Sequence, residues 1–353
     1  MIHMKHSKIS ANKYCGWMLI PVLVLIAVGA HAKPKKSEVM NALKKYSPSG
    51  YYIVSTYDKL PESFNFYGSK LEMKKPCAIM DFFESDNPER FVEDMVGCVH
   101  EINHFYTTFM AYKIVEDTGA EFGSGAEAIY VNDKPILVNY TKTFPARDMD
   151  ADFPEAAKTF RYKTYISPSE ESQSTQIHGV YGLLDEFNAY YHTARTVVDF
   201  WGYIKDRDGK DLTTCINYFS LFNNTWVSYA DFKLFILKYL IYAKKHDTEV
   251  YGRLTGNENF KNAFLKVEKE FAGVLAEAEA LKKEIFAHLR DQGYEVEEKD
   301  RSVRIGDTEI RTFSNDYLAL KKELDKEDCA AMMKTLEGRP AGPRGLLTTP
   351  TLR

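Results

Sequence analysis

Cysteine and tryptophan are scarce in this chain, five and three among 353 residues. No two cysteines stand at C-x-x-C spacing, which removes the usual cysteine zinc site from consideration. Past residue 32 only Cys77, Cys98, Cys215 and Cys329 remain. Four dispersed cysteines do not make a disulfide scaffold in a chain of this length, and their pairing is not legible from spacing. Long basic stretches interleaved with aromatics are also missing. With a formal net charge of -4, nothing electrostatic points to nucleic acid as a partner. No internal repeat is present. What the chain has is core material: 44% hydrophobic, 14% aromatic and 27% charged residues, ample for one large or two modest domains.

The first 32 residues differ in kind from the rest. Lys5, Lys8 and Lys13 supply positive charge without an acid, an apolar run extends from Trp17 to Val28, and Ala30-His31-Ala32 offers small residues around a cleavage point. A basic start, short apolar centre and A-x-A end predict a secretory signal peptide over 1–32, with a retained signal anchor as the alternative. The apolar run is short for a bilayer core of about 30 Å, so no stable membrane span is expected in the mature chain. Export would end in a periplasm, on a surface or in the medium. Removing residues 1–32 takes three lysines and no acids, moving the net charge to -7. Six histidines remain: His100, His104, His178, His192, His246 and His288.

Hydrophobic periodicity and turn residues give a coarse map. Lys33 to Val39 reads as a loose lead-in. Gly50-Tyr51-Tyr52-Ile53-Val54-Ser55-Thr56-Tyr57, rich in aromatic and β-branched residues, predicts a strand, with a second from Ser63 to Tyr67. Asp86-Asn87-Pro88-Glu89 looks like a helix start, and Val92, Val96, Val99, Phe105, Phe109 and Ile114 continue at helical spacing to about Asp117. Residues 128–140 predict a hairpin around Asn132-Asp133-Lys134-Pro135, and 142–178 read as loop. A helix is expected from about Val180 to Ile204, stopped near Gly209. Further on come a buried helix pair over 211–245 and an amphipathic helix over 258–291. A hairpin turning at Gly306-Asp307 and a helix over 315–336 complete the map. A Gly/Pro-rich tail, 338–353, is expected to be flexible.

The chemistry concentrates in His100-Glu101-Ile102-Asn103-His104. On a helix, residues four apart lie about 40° from each other on one face, one turn above the other. Two imidazoles so placed can share one ion, and Glu101 on the neighbouring strip can take a proton from water without being a ligand. The plain structural alternative is a pair of half-buried helix histidines.

This run resembles the active-site helix of the zincin metallopeptidases. The glycine and third histidine of the metzincin extension are missing, since Phe105-Tyr106-Thr107-Thr108-Phe109 follows. In the gluzincin group the third ligand is a glutamate on a later helix. Leu183-Leu184-Asp185-Glu186-Phe187-Asn188-Ala189-Tyr190 offers Glu186, an acid among apolar residues that is costly unless paired or bound to metal. Asp185, His178 and His192 are competing third ligands. The group's pattern also has an acid a few residues further on to orient a ligand histidine, and Tyr190 stands there instead.

The resemblance implies Zn2+ on His100, His104 and Glu186, Glu101 as general base, and His178, Tyr181 or Tyr190 as donor to the oxyanion. The expected architecture is α+β. A zincin-like catalytic region with two metal-bearing helices (33–209) precedes a helix-rich region with a β-hairpin (210–337). The expected activity is hydrolysis of peptide or protein substrates. The alternatives are a secreted binding or surface protein on an inactive metalloprotease-like scaffold, and a zinc amidase acting on non-protein amides. Asp148, Asp150, Asp152 and Glu155 crowd together, but they lack the Gly and Glu positions of an EF-hand loop and read as a solvated loop.

Overall fold

The structure, a computed structural model, describes residues 33–83, 90–207 and 211–338. The expected signal peptide, the helix start Asp86-Asn87-Pro88-Glu89, Gly209 and the tail beyond Gly338 lie outside the described residues.

The chain opens with two helices, α1 (Lys36–Tyr46) and α2 (Pro48–Lys59). Neither matches expectation: the lead-in is helical from Lys36, and the segment Gly50 to Tyr57 is helix, not strand. The reason is tertiary. Ile53, Val54, Tyr57 and Leu60 are buried at three- and four-residue spacing, and Pro48 starts the helix at a position where its missing N–H costs nothing. Burial of that stripe outweighs the β preference of individual residues. Gly50 is needed for the close approach, because a Cβ there would lie 3.1 Å from both Thr196 Oγ1 and Val99 Cγ2.

A hairpin of β1 (Ser63–Phe66) and β2 (Ser69–Glu72) follows, then the long α3 (Phe91–Thr118). Gly119, in the left-handed region at φ 67°, ends α3 by returning its N–H to the Val115 carbonyl. The hairpin expected next is present as β3 (Ala126–Ile129) and β4 (Ile136–Asn139), with Ala126 opposite Asn139. Residues 142–178 are mostly irregular, with 3-10 turns and two short helices, α4 (Phe160–Tyr165) and α5 (Ser174–Ile177). The acids of this stretch face bases: Asp150 and Glu155 pair with Lys158, and Asp152 pairs with Lys245 and His246.

The expected helix from Val180 divides at Phe200 into α6 (Val180–Asp199) and α7 (Trp201–Arg207). Then come α8 (Leu212–Phe222), α9 (Thr225–His246), α10 (Thr248–Thr255) and α11 (Glu258–Asp291). The hairpin at Gly306-Asp307 gains a strand that its sequence did not announce. Strands β5 (Val296–Glu298), β6 (Ser302–Ile305) and β7 (Thr308–Arg311) form one antiparallel sheet. The last expected helix is two, α12 (Ser314–Leu324) and α13 (Glu327–Leu336).

The architecture is thus mixed helix and small antiparallel sheets, with helix predominant. One buried apolar cluster runs from Val39 to Leu336, across position 210. No described helix is long and apolar enough to cross a membrane.

α6 is the hub. It packs against α2, α3, α5, α8, α9 and α11, and Leu183, Leu184, Phe187, Ala189 and Tyr191 are fully covered. A helix apolar on nearly every side belongs in an interior, and each large side chain removed from water contributes about 1.5–3 kcal/mol. Within the α3–α6 seam the Asn188 amide donates to Asn103 Oδ1 at 3.2 Å, both side chains wholly buried. A polar contact in an apolar seam penalises any slip in register, since both amides would lose their partner.

α6 starts at Gly179, whose φ of 58° and ψ of -123° suit glycine alone. A Cβ there would stand 2.5 Å from the Phe144 carbonyl oxygen and 2.5 Å from the Tyr239 hydroxyl. Gly179→Ala is therefore expected to lower stability by at least about 2 kcal/mol, from backbone strain and overpacking together. A urea unfolding curve unchanged from the parent chain would refute that reading of the helix start.

Candidate metal centre

α3 and α6 bring their polar faces together where they cross. On α3 that face carries His100, His104 and Thr107, spaced by four and three residues. On α6 it carries Glu186, Tyr190 and Thr193, spaced likewise. The two histidines of the motif lie on one face of a helix, and Glu186 is brought to them across 82 residues of sequence.

The distances are those of a small triangle. His100 Nε2 and His104 Nε2 are 3.3 Å apart, and Glu186 Oε2 is 3.7 Å from each. Sides of 3.3, 3.7 and 3.7 Å enclose a point about 2.1 Å from all three atoms, close to the lengths zinc makes to imidazole nitrogen and carboxylate oxygen, about 2.0–2.2 Å. Among the described residues, these three side chains form the one group able to hold a metal ion.

The donor chemistry fits a cation as well as the distances do. His104 Nδ1 lies 2.7 Å from Asp185 Oδ2. The carboxylate accepts, so Nδ1 carries the proton and Nε2 presents its lone pair inward. His100 Nδ1 lies 3.0 Å from Thr193 Oγ1, whose own proton goes to the Ala189 carbonyl at 3.0 Å. The Thr193 oxygen must then accept from His100, which turns that Nε2 inward in the same way. Glu186 Oε2, the third corner, is buried without a hydrogen-bond partner. Two lone pairs and a carboxylate oxygen facing one another repel unless a cation lies among them.

In the metal-free chain a proton can play that part. Burial by itself pulls His104 down, but the carboxylates of Asp185, Glu186 and Glu101 outweigh it and push its pKa up to about 10. His100 is held well below its usual value by burial, then by His104 and Arg161. Burial lifts Glu186 to about 7 against the opposing pull of His104. The same ring of acids that raises proton affinity at His104 raises the affinity of the triangle for a divalent cation.

Asp185, a competing ligand on sequence grounds, stands on the far side of the His104 ring from the triangle. It holds that ring in place and is itself braced by the Thr107 hydroxyl, 3.0 Å from Oδ1. His192 lies outside the triangle, its nitrogens 3.0 Å from Ser49 Oγ and 2.9 Å from the Tyr130 carbonyl. His178 is outside the triangle, packed against the Tyr140 ring at 5.0 Å. The Tyr181 hydroxyl is occupied by Thr141 and Asn257. Tyr190 does reach the site, its ring edge-on to His100 at 4.7 Å. Glu101 lies close enough for its charge to act on both His104 and Glu186.

Exposure opens in one direction. The His100 side chain is 4% accessible, whereas His104 and Glu186 are 20% and 15% accessible. Solvent therefore meets the triangle from the His104–Glu186 side.

Several contributors carried little sequence signal. Thr107 and Thr193 share helical faces with the motif histidines and Glu186, so spacing could have found them. Arg161, whose charge acts on His100, comes from a segment that reads as loop, and Glu127, wholly buried on β3 where the charges of Asp185 and His104 act on it, sits in an ordinary hairpin. No family model, curated protein or solved structure matches the chain.

A pH dependence follows from His104. Because its proton is held up to about pH 10, a divalent cation entering the triangle must displace it. Zinc affinity is expected to rise with pH between about 6 and 8.5, with roughly one proton released per ion in buffers of differing ionisation enthalpy. Proton-neutral, pH-independent uptake would contradict the arrangement.

Proposed function

We propose that the chain is an exported zinc-dependent metallopeptidase of gluzincin-like type, its metal held by His100, His104 and Glu186. The supporting observation is the convergence of two inward-facing Nε2 atoms and the partnerless Glu186 Oε2 around a point about 2.1 Å from each. A zinc ion held there supplies Lewis acidity, polarising a carbonyl and making water a nucleophile near neutral pH.

The rest of the chemistry belongs to this chain's own side chains. Asp185 and Thr193 hold the two imidazoles in the tautomer that presents Nε2. Glu101 takes the proton of the attacking water on its carboxylate and passes it to the leaving amine. Burial of His100 keeps bulk water from one side of the site, and the more open His104–Glu186 side admits a carbonyl substrate. Export through residues 1–32 belongs to the same reading.

The test is direct. Purified protein should carry about one zinc per chain, and Glu186→Ala should lose it while His178→Ala retains it. Glu101→Gln should keep the metal and lower hydrolysis of a casein mixture by at least about 10²-fold. Protein carefully handled yet free of zinc, or a Glu101→Gln variant as active as its parent, would end the proposal. Cleavage of non-protein amides with intact casein would redirect it to an amidase.

A further inference from the structure

A second buried histidine pairs with a serine that the metal centre does not use. His192 is wholly buried on α6, outside the triangle. Its Nε2 lies 2.9 Å from the Tyr130 carbonyl, just past β3. Nδ1 lies 3.0 Å from Ser49 Oγ, in the first turn of α2. A carbonyl can only accept, so Nε2 carries the proton of the neutral ring. Nδ1 is then a lone pair, and the Ser49 hydroxyl donates to it. Burial lowers the His192 pKa to about 4 against the opposing pull of the carbonyl, which keeps the ring neutral near pH 7.

The surroundings fix this pair. Ser47 Oγ lies 3.4 Å from Thr196 Oγ1, and a Cβ on Gly50 would lie 3.1 Å from the same atom. Thr196 follows His192 by one helical turn, so α2 is pressed onto α6 on both sides of Ser49. The Tyr130 ring lies nearly parallel to His192 at 5.8 Å and stacks on Tyr52 at 4.0 Å. Ser49 is half-buried with His192 beneath it, so a molecule arriving from solvent meets the serine first. The Ser49 and Gly50 N–H groups, at the start of α2, precede any intrahelical acceptor and favour negative charge there.

A hydroxyl donating to an imidazole whose far nitrogen is held is the arrangement of an activated nucleophile. We propose that Ser49 and His192 form a second, metal-independent site that accepts acyl groups from thioesters and aryl esters. The Ser49 proton passes to Nδ1 as Oγ bonds the carbonyl carbon. The bond to the leaving group then breaks, and the proton departs with the thiol or phenol. A base as weak as His192 assists only modestly, which suits donors with good leaving groups and leaves amides out of reach.

The test uses the full chain in excess chelator, with p-nitrophenyl acetate as probe. Acylation should release p-nitrophenolate in a burst of about one per chain. Fragmentation of the labelled peptide should place the acetyl group on Ser49, an outcome that needs no variant. The burst rate should stay flat from about pH 6 to 8, because the base is already neutral there; an unassisted hydroxyl would gain about tenfold per pH unit. Ser49→Ala should abolish the burst, and His192→Gln should slow it by about tenfold or more. Acetyl groups on lysines or tyrosines but not on Ser49 would overturn the proposal. So would a rate that climbs tenfold per pH unit, or a folded His192→Gln variant as fast as its parent.

Discussion

The crossing of α3 and α6 is the constraint on which the rest of the molecule depends. The buried amides of Asn103 and Asn188 meet in that seam, and the apolar residues around them hold it shut. A one-residue rotation of either helix would turn a side chain by about 100°, taking Glu186 away from the histidines and Asp185 away from His104. The surrounding helices, α9 and α11 above all, leave α6 no other place to lie. The site is precise because it is mounted on two buried helices and not on loops.

That mounting also explains the electrostatics. Four acids, Glu101, Glu127, Asp185 and Glu186, stand near two imidazoles, and Glu127 and Glu186 are driven up by burial. So much negative charge in a half-buried place is unfavourable for a core that does nothing else. Each histidine has its outward nitrogen engaged by a partner that fixes the proton there. The inward faces are left as electron-pair donors. Burial, partner choice and spacing all favour a cation at one point, which solvent meets from the His104–Glu186 side.

Legibility in the sequence varied with how local the determining physics was. Elements set by their own periodicity and punctuation were readable. α3 ends at Gly119, the hairpin turns at Gly306-Asp307, and α11 shows its amphipathic stripe. Gly50 to Tyr57 misled because aromatic and β-branched residues favour strands one at a time, whereas burial against Val99, Thr196 and Leu43 selects a helix. The break at Asp325 left no glycine or proline as a mark, and β5 is too short to show alternation. At the site, His100, Glu101 and His104 were visible as a unit, since one turn of one helix relates them. Glu186 was visible only as an acid out of place in an apolar stretch.

What the sequence by itself determined is the set of groups that a single helix can align. Two imidazoles and a carboxylate sit at the spacing of one turn, because the 3.6-residue period depends on backbone geometry alone. What only the tertiary structure decided is which distant groups join them. Glu186, and not Asp185, His178 or His192, completes the triangle. Asp185 stands behind His104, and Thr193 stands behind His100. Those assignments depend on how α3 and α6 pack, and packing is settled by the simultaneous burial of apolar surface over the whole core. No window of sequence contains that information.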